Sequence, residues 1–417
     1  MPSSFRRPPR FAAGCAVAAF AAALSGPAWA DPAPAYDALV ARLAETPLIT
    51  EAGALLDAAE ARVRQARVRP NPLLGLEAEN AFGSGPFDGY SNAETTLSLS
   101  TDLELWGRRG ARVNVARAEA DTASRRAVLV AADAAGRLAL YYAEAEAADR
   151  RFRLASEALT LTLADTRASL ALVEEGREPL LRGIQGQTEA AAARARLDEA
   201  QAERDAAFAR LTGFAMLVRP VTSIEQSLLD RAPALAVSDT RPAPAVLVAE
   251  AEREAADRRI TVERIRARPD VNASVGVRRF EAEDATAITF GLSVPLPLFD
   301  RNRGNVEAAQ ADFRAADARL QGARQEAEAD RVAARARLAS AASRVSATDS
   351  GVESAEEAYR LSRIGAEAGR ISQLELRSSR AALIAAQNAA LDSRLARVRA
   401  EIDLARLDGR APFGAVQ

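Results

Sequence analysis

The sequence predicts an internally duplicated α+β fold. Long coiled-coil helices close a helical barrel in the periplasm, and four strands form one third of a twelve-stranded outer-membrane β-barrel shared by three chains. Three observations carry this expectation. A set of landmarks occurs twice in the same order, two very long stretches of helical composition contain no proline, and two pairs of strands alternate apolar and polar residues.

The repeat comes first. Arg69-Pro70-Asn71 returns 199 residues later as Arg268-Pro269-Asp270. Leu103-Glu104-Leu105-Trp106, followed by Arg108-Arg109-Gly110, returns as Leu296-Pro297-Leu298-Phe299, followed by Arg301-Asn302-Arg303-Gly304. Gly176-Arg177 returns after 193 residues as Gly369-Arg370, and Leu211-Thr212-Gly213 after 196 as Leu407-Asp408-Gly409. Near-constant shifts in preserved order indicate a duplication with small insertions. The domain organisation follows: an export signal over 1–30, a first repeat over 31–212, a linker over 213–241, a second repeat over 242–409 and a tail over 410–417.

The first thirty residues read as an address. Arg6, Arg7 and Arg10 are a positive start, 11–24 are apolar but too short to span a bilayer, and Ala28-Trp29-Ala30 is a cleavage signal placing the mature start at Asp31. Cys15 lacks the preceding apolar stretch that lipidation wants, and cleavage would remove this lone cysteine, leaving neither disulfide nor thiolate chemistry.

Each copy then has the order helix, two strands, very long helix, turn, helix. In the first, a helix runs over 47–69 to Pro70, strands occupy 73–82 and 95–105, and a long helix over 108–173 spans roughly 100 Å at 1.5 Å per residue. Residues 174–179 turn it back into a helix ending at Leu211. In the second, strands occupy 271–280 and 287–298, helices 304–365 and 372–407, and the turn ends at Arg370. Between the copies, 213–241 should form an irregular collar. The helices carry heptads: Leu138, Ala145, Phe152 and Leu159 in the first long helix, and Ile384, Leu391, Val398 and Ala405 in the last, with Ala381, Asn388, Leu395 and Ile402 running beside them. Heptads alone suit a bundle or filament, so a competing reading is an exported coiled-coil scaffold without a pore.

The strands argue for a membrane. Ile288, Phe290, Leu292, Val294, Leu296 and Leu298 share one face of the last strand. Leu97, Leu99, Leu103 and Leu105 do so in the second, and Leu74, Leu76, Ala78 and Phe82 in the first. Opposite them stand Glu77, Glu79, Asp102 and Glu104, which would face a lumen as rings of acid. Trp106 and Phe299, each followed by arginines, suit a headgroup girdle. Four strands cannot close a membrane barrel, and lipid tolerates no open edge, so the barrel must be shared. Three chains give twelve strands, hence a homotrimer embedded in outer-membrane lipid.

Composition narrows the chemistry. With 55 basic residues against 57 acidic ones the net charge is −2, which disfavours nucleic acid, and every basic residue is arginine. There is no histidine or lysine, so histidine bases, histidine metal ligands and Walker lysines are excluded. No catalytic residue, cofactor site or dedicated metal site is expected, since soft and borderline ions want His, Cys or Met.

Taken together, these elements resemble the TolC-type outer-membrane efflux proteins over nearly the whole mature chain. Pro70-Asn71-Pro72 with Glu79-Asn80, the run from Leu103 to Arg112, and Pro295 to Gly304 are similar to the CzcC-like cation-efflux branch, where glycine more often stands at the place of Trp106. Tyr359-Arg360, Gly365, Gly369-Arg370-Ile371 and Leu374 resemble the family's helix-turn tip. The resemblance implies a passive trimeric exit duct for divalent cations, docked on a periplasmic adaptor (membrane fusion) protein and an inner-membrane RND-type pump. Organic compounds or secreted proteins are alternative cargo. The tip residues expected to meet the adaptor are Gly176, Arg177, Leu180, Gly369, Arg370, Ile371 and Leu374. The two glycines should adopt left-handed backbone.

Overall fold

The structure, a computed structural model, describes residues 32–232 and 241–413. The expected export signal, with Cys15, lies outside the described residues. The chain forms seven helices and one antiparallel sheet among the described residues. They are α1 (Tyr36–Ala41), α2 (Pro47–Arg67), β1 (Leu73–Glu79), β2 (Glu94–Asp102), α3 (Arg108–Glu174), α4 (Leu180–Phe214), α5 (Pro244–Arg266), β3 (Asn272–Phe280), β4 (Ala285–Ser293), α6 (Arg303–Glu367) and α7 (Gln373–Leu407). The duplication is plain in the lengths. The α3 and α6 helices have 67 and 65 residues, and α4 and α7 have 35 each.

Alanine at heptad spacing explains how rods this long pack. Ala52, Ala59 and Ala66 in α2 are buried seven apart, as are Ala193, Ala200 and Ala207 in α4, and Ala327, Ala334 and Ala341 in α6. A methyl at each seam lets backbones approach closely and leaves the remaining faces charged. No described helix is long and apolar enough to cross a membrane.

The core is equatorial rather than axial. Around the middle of α3, Leu138, Tyr142 and Ala145 pack against Tyr36 and Leu39 of α1, Leu211 of α4, Leu228 and Leu229 of the linker, and Leu395 and Val398 of α7. The two heptad rows of α7 serve this core rather than an outer seam. Leu391, Leu395, Val398 and Ile402 enter the chain's own core, while Phe152 is covered by the guanidinium of Arg204, 4.0 Å from its ring centre. The α1 helix itself, before Pro47, has no heptad to announce it. Its Tyr36 is wholly buried, its hydroxyl donating to the carbonyl of Pro412 at 2.8 Å.

Glu146 pins the linker to this core. Only 4% exposed, its carboxylate accepts from the backbone N–H groups of Leu228 (2.8 Å) and Leu229 (3.2 Å), from Ser227 Oγ (2.6 Å) and from Arg150 (2.7 Å). Glu146→Ala would leave two buried N–H groups without their acceptor, while Arg150 keeps Asp230, at a cost of about 2 kcal/mol. The expected result is a thermal midpoint lowered by several degrees, with Glu146→Gln losing less. Equal midpoints for Glu146→Ala and the parent would mean the collar is held by other contacts.

The strands differ from expectation at their ends, each time for a backbone reason. The β1 strand stops at Glu79 rather than Phe82 because Asn80 and Phe82 have φ of 57° and 58°. The β2 strand stops at Asp102 because Glu104 and Trp106 are left-handed, at 46° and 64°. The β4 strand stops at Ser293 instead of 298, since Pro295 and Pro297 have no N–H for a ladder.

Candidate functional site

The sheet order is β1-β2-β3-β4, so β1 and β4 are open edges within the chain. Register aligns the apolar side into continuous rows, Leu74–Leu99–Val275–Phe290 and Leu76–Leu97–Val277–Ile288. Nothing among the described residues covers them: Leu76 is 73% exposed and Phe290 82%. An uncovered face of this size is out of place in water and suited to hydrocarbon.

The other side is polar, and Glu77 and Glu79 lie on it. Two residues that sequence reasoning missed join them. Glu94 stands opposite Glu79, and Arg278, opposite Thr96, reaches Glu94 at 3.0 Å, Glu79 at 3.2 Å and Thr96 Oγ1 at 2.9 Å. Glu79 is therefore part of an ion-paired cluster, whereas Glu77 makes no ion pair among the described residues. Asp102 accepts from Asn272 at 3.0 Å at the opposite end of the sheet. Glu104 departs from the expected acid row: it lies past the end of β2 and binds Arg112 of α3 at 2.5 Å, its side chain 11% exposed. The strand alternation that assigned Glu104 to the polar row ends at Asp102, and Glu104 itself is left-handed.

Trp106 and Phe299 sit where sheet gives way to helix. Trp106 holds a left-handed φ of 64°, donates from Nε1 to the carbonyl of Pro269 at 3.1 Å, and carries Arg268 over its ring at 5.4 Å. Phe299 is 98% exposed. The positive φ accounts for glycine being the easier residue at position 106.

At the far end of the rods both tips are built alike. Gly176 has φ 73° and Gly369 φ 69°. At the first tip Arg177 N–H donates to the carbonyl of Leu172 and Gly176 N–H to that of Val173. At the second Arg370 donates to Gly365 and Gly369 to Ala366. These paired bonds are the Schellman closure of a helix end. The second tip adds a hydrophobic contact: a Cβ on Gly365 would meet Ile371 at 2.6 Å, so Ile371 is spent on the turn itself. Leu180 (68%) and Leu374 (61%) remain exposed, beside exposed Leu181, Ile184, Leu361 and Ile364. Arg177 pairs with Glu175 in its own turn at 3.3 Å, and Arg370 is exposed.

Above the tips lies a buried ionic network that sequence reasoning did not find. Arg377 and Arg380 of α7 are 8% and 5% exposed. Arg380 binds Asp165 of α3 and reaches Glu189 of α4 at 3.3 Å; Arg377 binds Ser169 Oγ at 3.0 Å and Glu189 at 3.4 Å. Burial pushes the Asp165 carboxyl above its ordinary range, against the pull of Arg380. The available signal was Arg377 itself, which occupies the heptad row of Ile384, Leu391 and Val398.

The outer membrane efflux protein family matches this chain over residues 38–215 and 241–410. A nickel and cobalt resistance protein, CnrC of Cupriavidus metallidurans, is 39% identical over 329 residues, covering 78% of this chain and 77% of that protein. The nickel-cobalt-cadmium resistance protein NccC of Alcaligenes xylosoxydans xylosoxydans is 38% identical over 297 residues, 70% and 68% of the two chains. Among solved structures, CusC superposes with a TM-score of 0.78 at 18% identity, covering 90% of this chain and 92% of that one. VceC of Vibrio cholerae superposes at 0.73 and 21%, covering 90% and 96%.

Proposed function

The chain belongs to the outer membrane efflux protein family, and on that premise we propose that it is the passive exit duct of a tripartite system exporting divalent heavy-metal cations. One observation carries the duct: a four-stranded sheet with an uncovered apolar face and two open edges, mounted on rods roughly 100 Å long. Lipid forbids open edges, so the sheet closes only with copies of itself, and three copies give twelve strands. The same face argues against a pore-free scaffold, which would expose those rows to water.

The cargo reading rests on relatives near 39% identity that are named for nickel and cobalt resistance. The duct supplies no chemistry of its own. It lacks histidine and lysine, and no group of three or more carboxylates able to hold a metal ion occurs among the described residues. An inner-membrane pump and an adaptor supply energy and contact, the adaptor meeting Gly176, Arg177, Leu180, Gly369, Arg370 and Leu374 at the tips.

Crosslinking in outer-membrane vesicles is expected to give a ladder that stops at three, and a ladder stopping at one or two would overturn the shared barrel. Cells lacking the chain should lose tolerance to nickel or cobalt and regain it on complementation. Lost tolerance to organic compounds alone would move the cargo to that class.

A further inference from the structure

The four passages between sheet and helices lie along one end of the sheet, the edge made by the strand ends rather than by β1 or β4, since Leu73 of β1 pairs with Ser100, near Asp102 of β2, and Asp102 with Asn272 and Asn272 with Ser293. That edge is rich in arginine although the whole chain carries a net charge of −2. Part of the surplus is used internally. Arg108 pairs with Asp270 at 3.0 Å, Arg112 with Glu104 at 2.5 Å and Arg266 with Glu263 at 2.7 Å, while Arg268 lies over Trp106. Arg67, Arg69, Arg109, Arg264, Arg301 and Arg303 remain exposed, with no carboxylate partner among the described residues.

Helix electrostatics account for only some of these. Arg67 and Arg264 stand in the last turns of α2 and α5, where the negative end of the helix dipole favours a cation. Arg109 and Arg303 stand at the opposite ends, in the first turns of α3 and α6, where the dipole disfavours them and neither helix has an acidic residue. Asp300, beside Arg301, is turned to the backbone N–H of Asn302 at 2.8 Å. The charge at this edge therefore calls for an anion outside the chain. Directly against it the apolar face continues through exposed Leu296 (74%), Leu298 (66%) and Phe299 (98%). A partner that fits both features has an acyl chain and an anionic phosphodiester.

We propose that this arginine belt binds anionic phospholipid headgroups in the periplasmic leaflet of the outer membrane, with Arg109, Arg301 and Arg303 as principal contacts. The proposal rests on reading the sheet as part of a membrane barrel. Guanidinium groups suit it because they meet phosphate oxygens through paired N–H donors and keep their charge at the interface. Such a belt would set the depth of the barrel and hold the rods upright beneath it.

Native mass spectrometry of the detergent-purified protein, titrated with phosphatidylglycerol or phosphatidylethanolamine, tests it. The parent should retain phosphatidylglycerol at least about tenfold more strongly than phosphatidylethanolamine. Arg109→Gln/Arg301→Gln/Arg303→Gln should lose that preference with its oligomer intact, and Arg335→Gln/Arg337→Gln, at exposed positions within α6, should keep it. Equal retention of the two lipids by the parent, or an undiminished preference in the triple variant, would overturn the belt. So would displacement of phosphatidylglycerol by millimolar inorganic phosphate, which would mark a small-anion site. Conductance of the parent in a phosphatidylcholine bilayer is scored separately. Its absence would sink the duct reading, whereas conductance without phosphatidylglycerol preference would sink only the belt.

Discussion

Leu374→Asp is expected to reduce metal tolerance to the level of cells lacking the chain, while oligomer and barrel persist. Leu374 lies in the first turn of α7 and is 61% exposed in the single chain. The fold therefore tolerates the change. What it alters is the apolar surface that the tip offers to another molecule, together with Leu180, Leu181 and Ile184 of the first repeat. A charge in such a contact must be desolvated without a partner, a cost sufficient to prevent docking. Gly369→Pro should reach the same end by another route. The residue sits at φ 69°, where proline cannot go, and its N–H bonds the carbonyl of Ala366. The turn would then be lost rather than its surface. Tolerance assays, read beside crosslinking and heat-modified migration, separate export from assembly. Normal tolerance in Leu374→Asp would show that the tip is a turn and nothing more.

The contrast between the tips and the sheet shows what a sequence reveals. Gly176 and Gly369 were legible because a long proline-free helix followed by glycine and then a new apolar run has one cheap closure. The apolar rows were legible because a period of two over seven to nine residues fixes a face. The pairings that cross the duplication were not. Arg278 reaches Glu94 across 184 positions of chain, and Arg380 reaches Asp165 across 215. Local period says nothing about which charge meets which. Glu104 shows the opposite failure: alternation was extended two residues too far, past a left-handed turn that glutamate seldom adopts. The α1 helix was missed because six residues are too few to show a period, and its place is set by burial of Tyr36 rather than by patterning.

Arg278 offsets part of the acid row on the polar side of the sheet, and its removal is expected to raise cation selectivity. On the polar side of the sheet Glu77, Glu79, Glu94 and Asp102 carry four negative charges and Arg278 returns one, leaving three per chain. In a trimer those become nine, and Arg278→Gln makes them twelve. Charges lining a narrow aqueous passage with low-dielectric walls act on every ion that passes, so the cation-to-anion permeability ratio should rise by about twofold. Glu77→Gln should lower it, because Glu77 has no counter-ion to release. Glu104→Gln should leave it unchanged, since that carboxylate is bound to Arg112 below the strands. Reversal potentials under a salt gradient in a planar bilayer measure all three, and they should converge at high ionic strength as screening grows. A ratio that stays fixed in Arg278→Gln would mean that the polar side of this sheet does not line the conducting path. The acid rows would then serve only to keep it wetted.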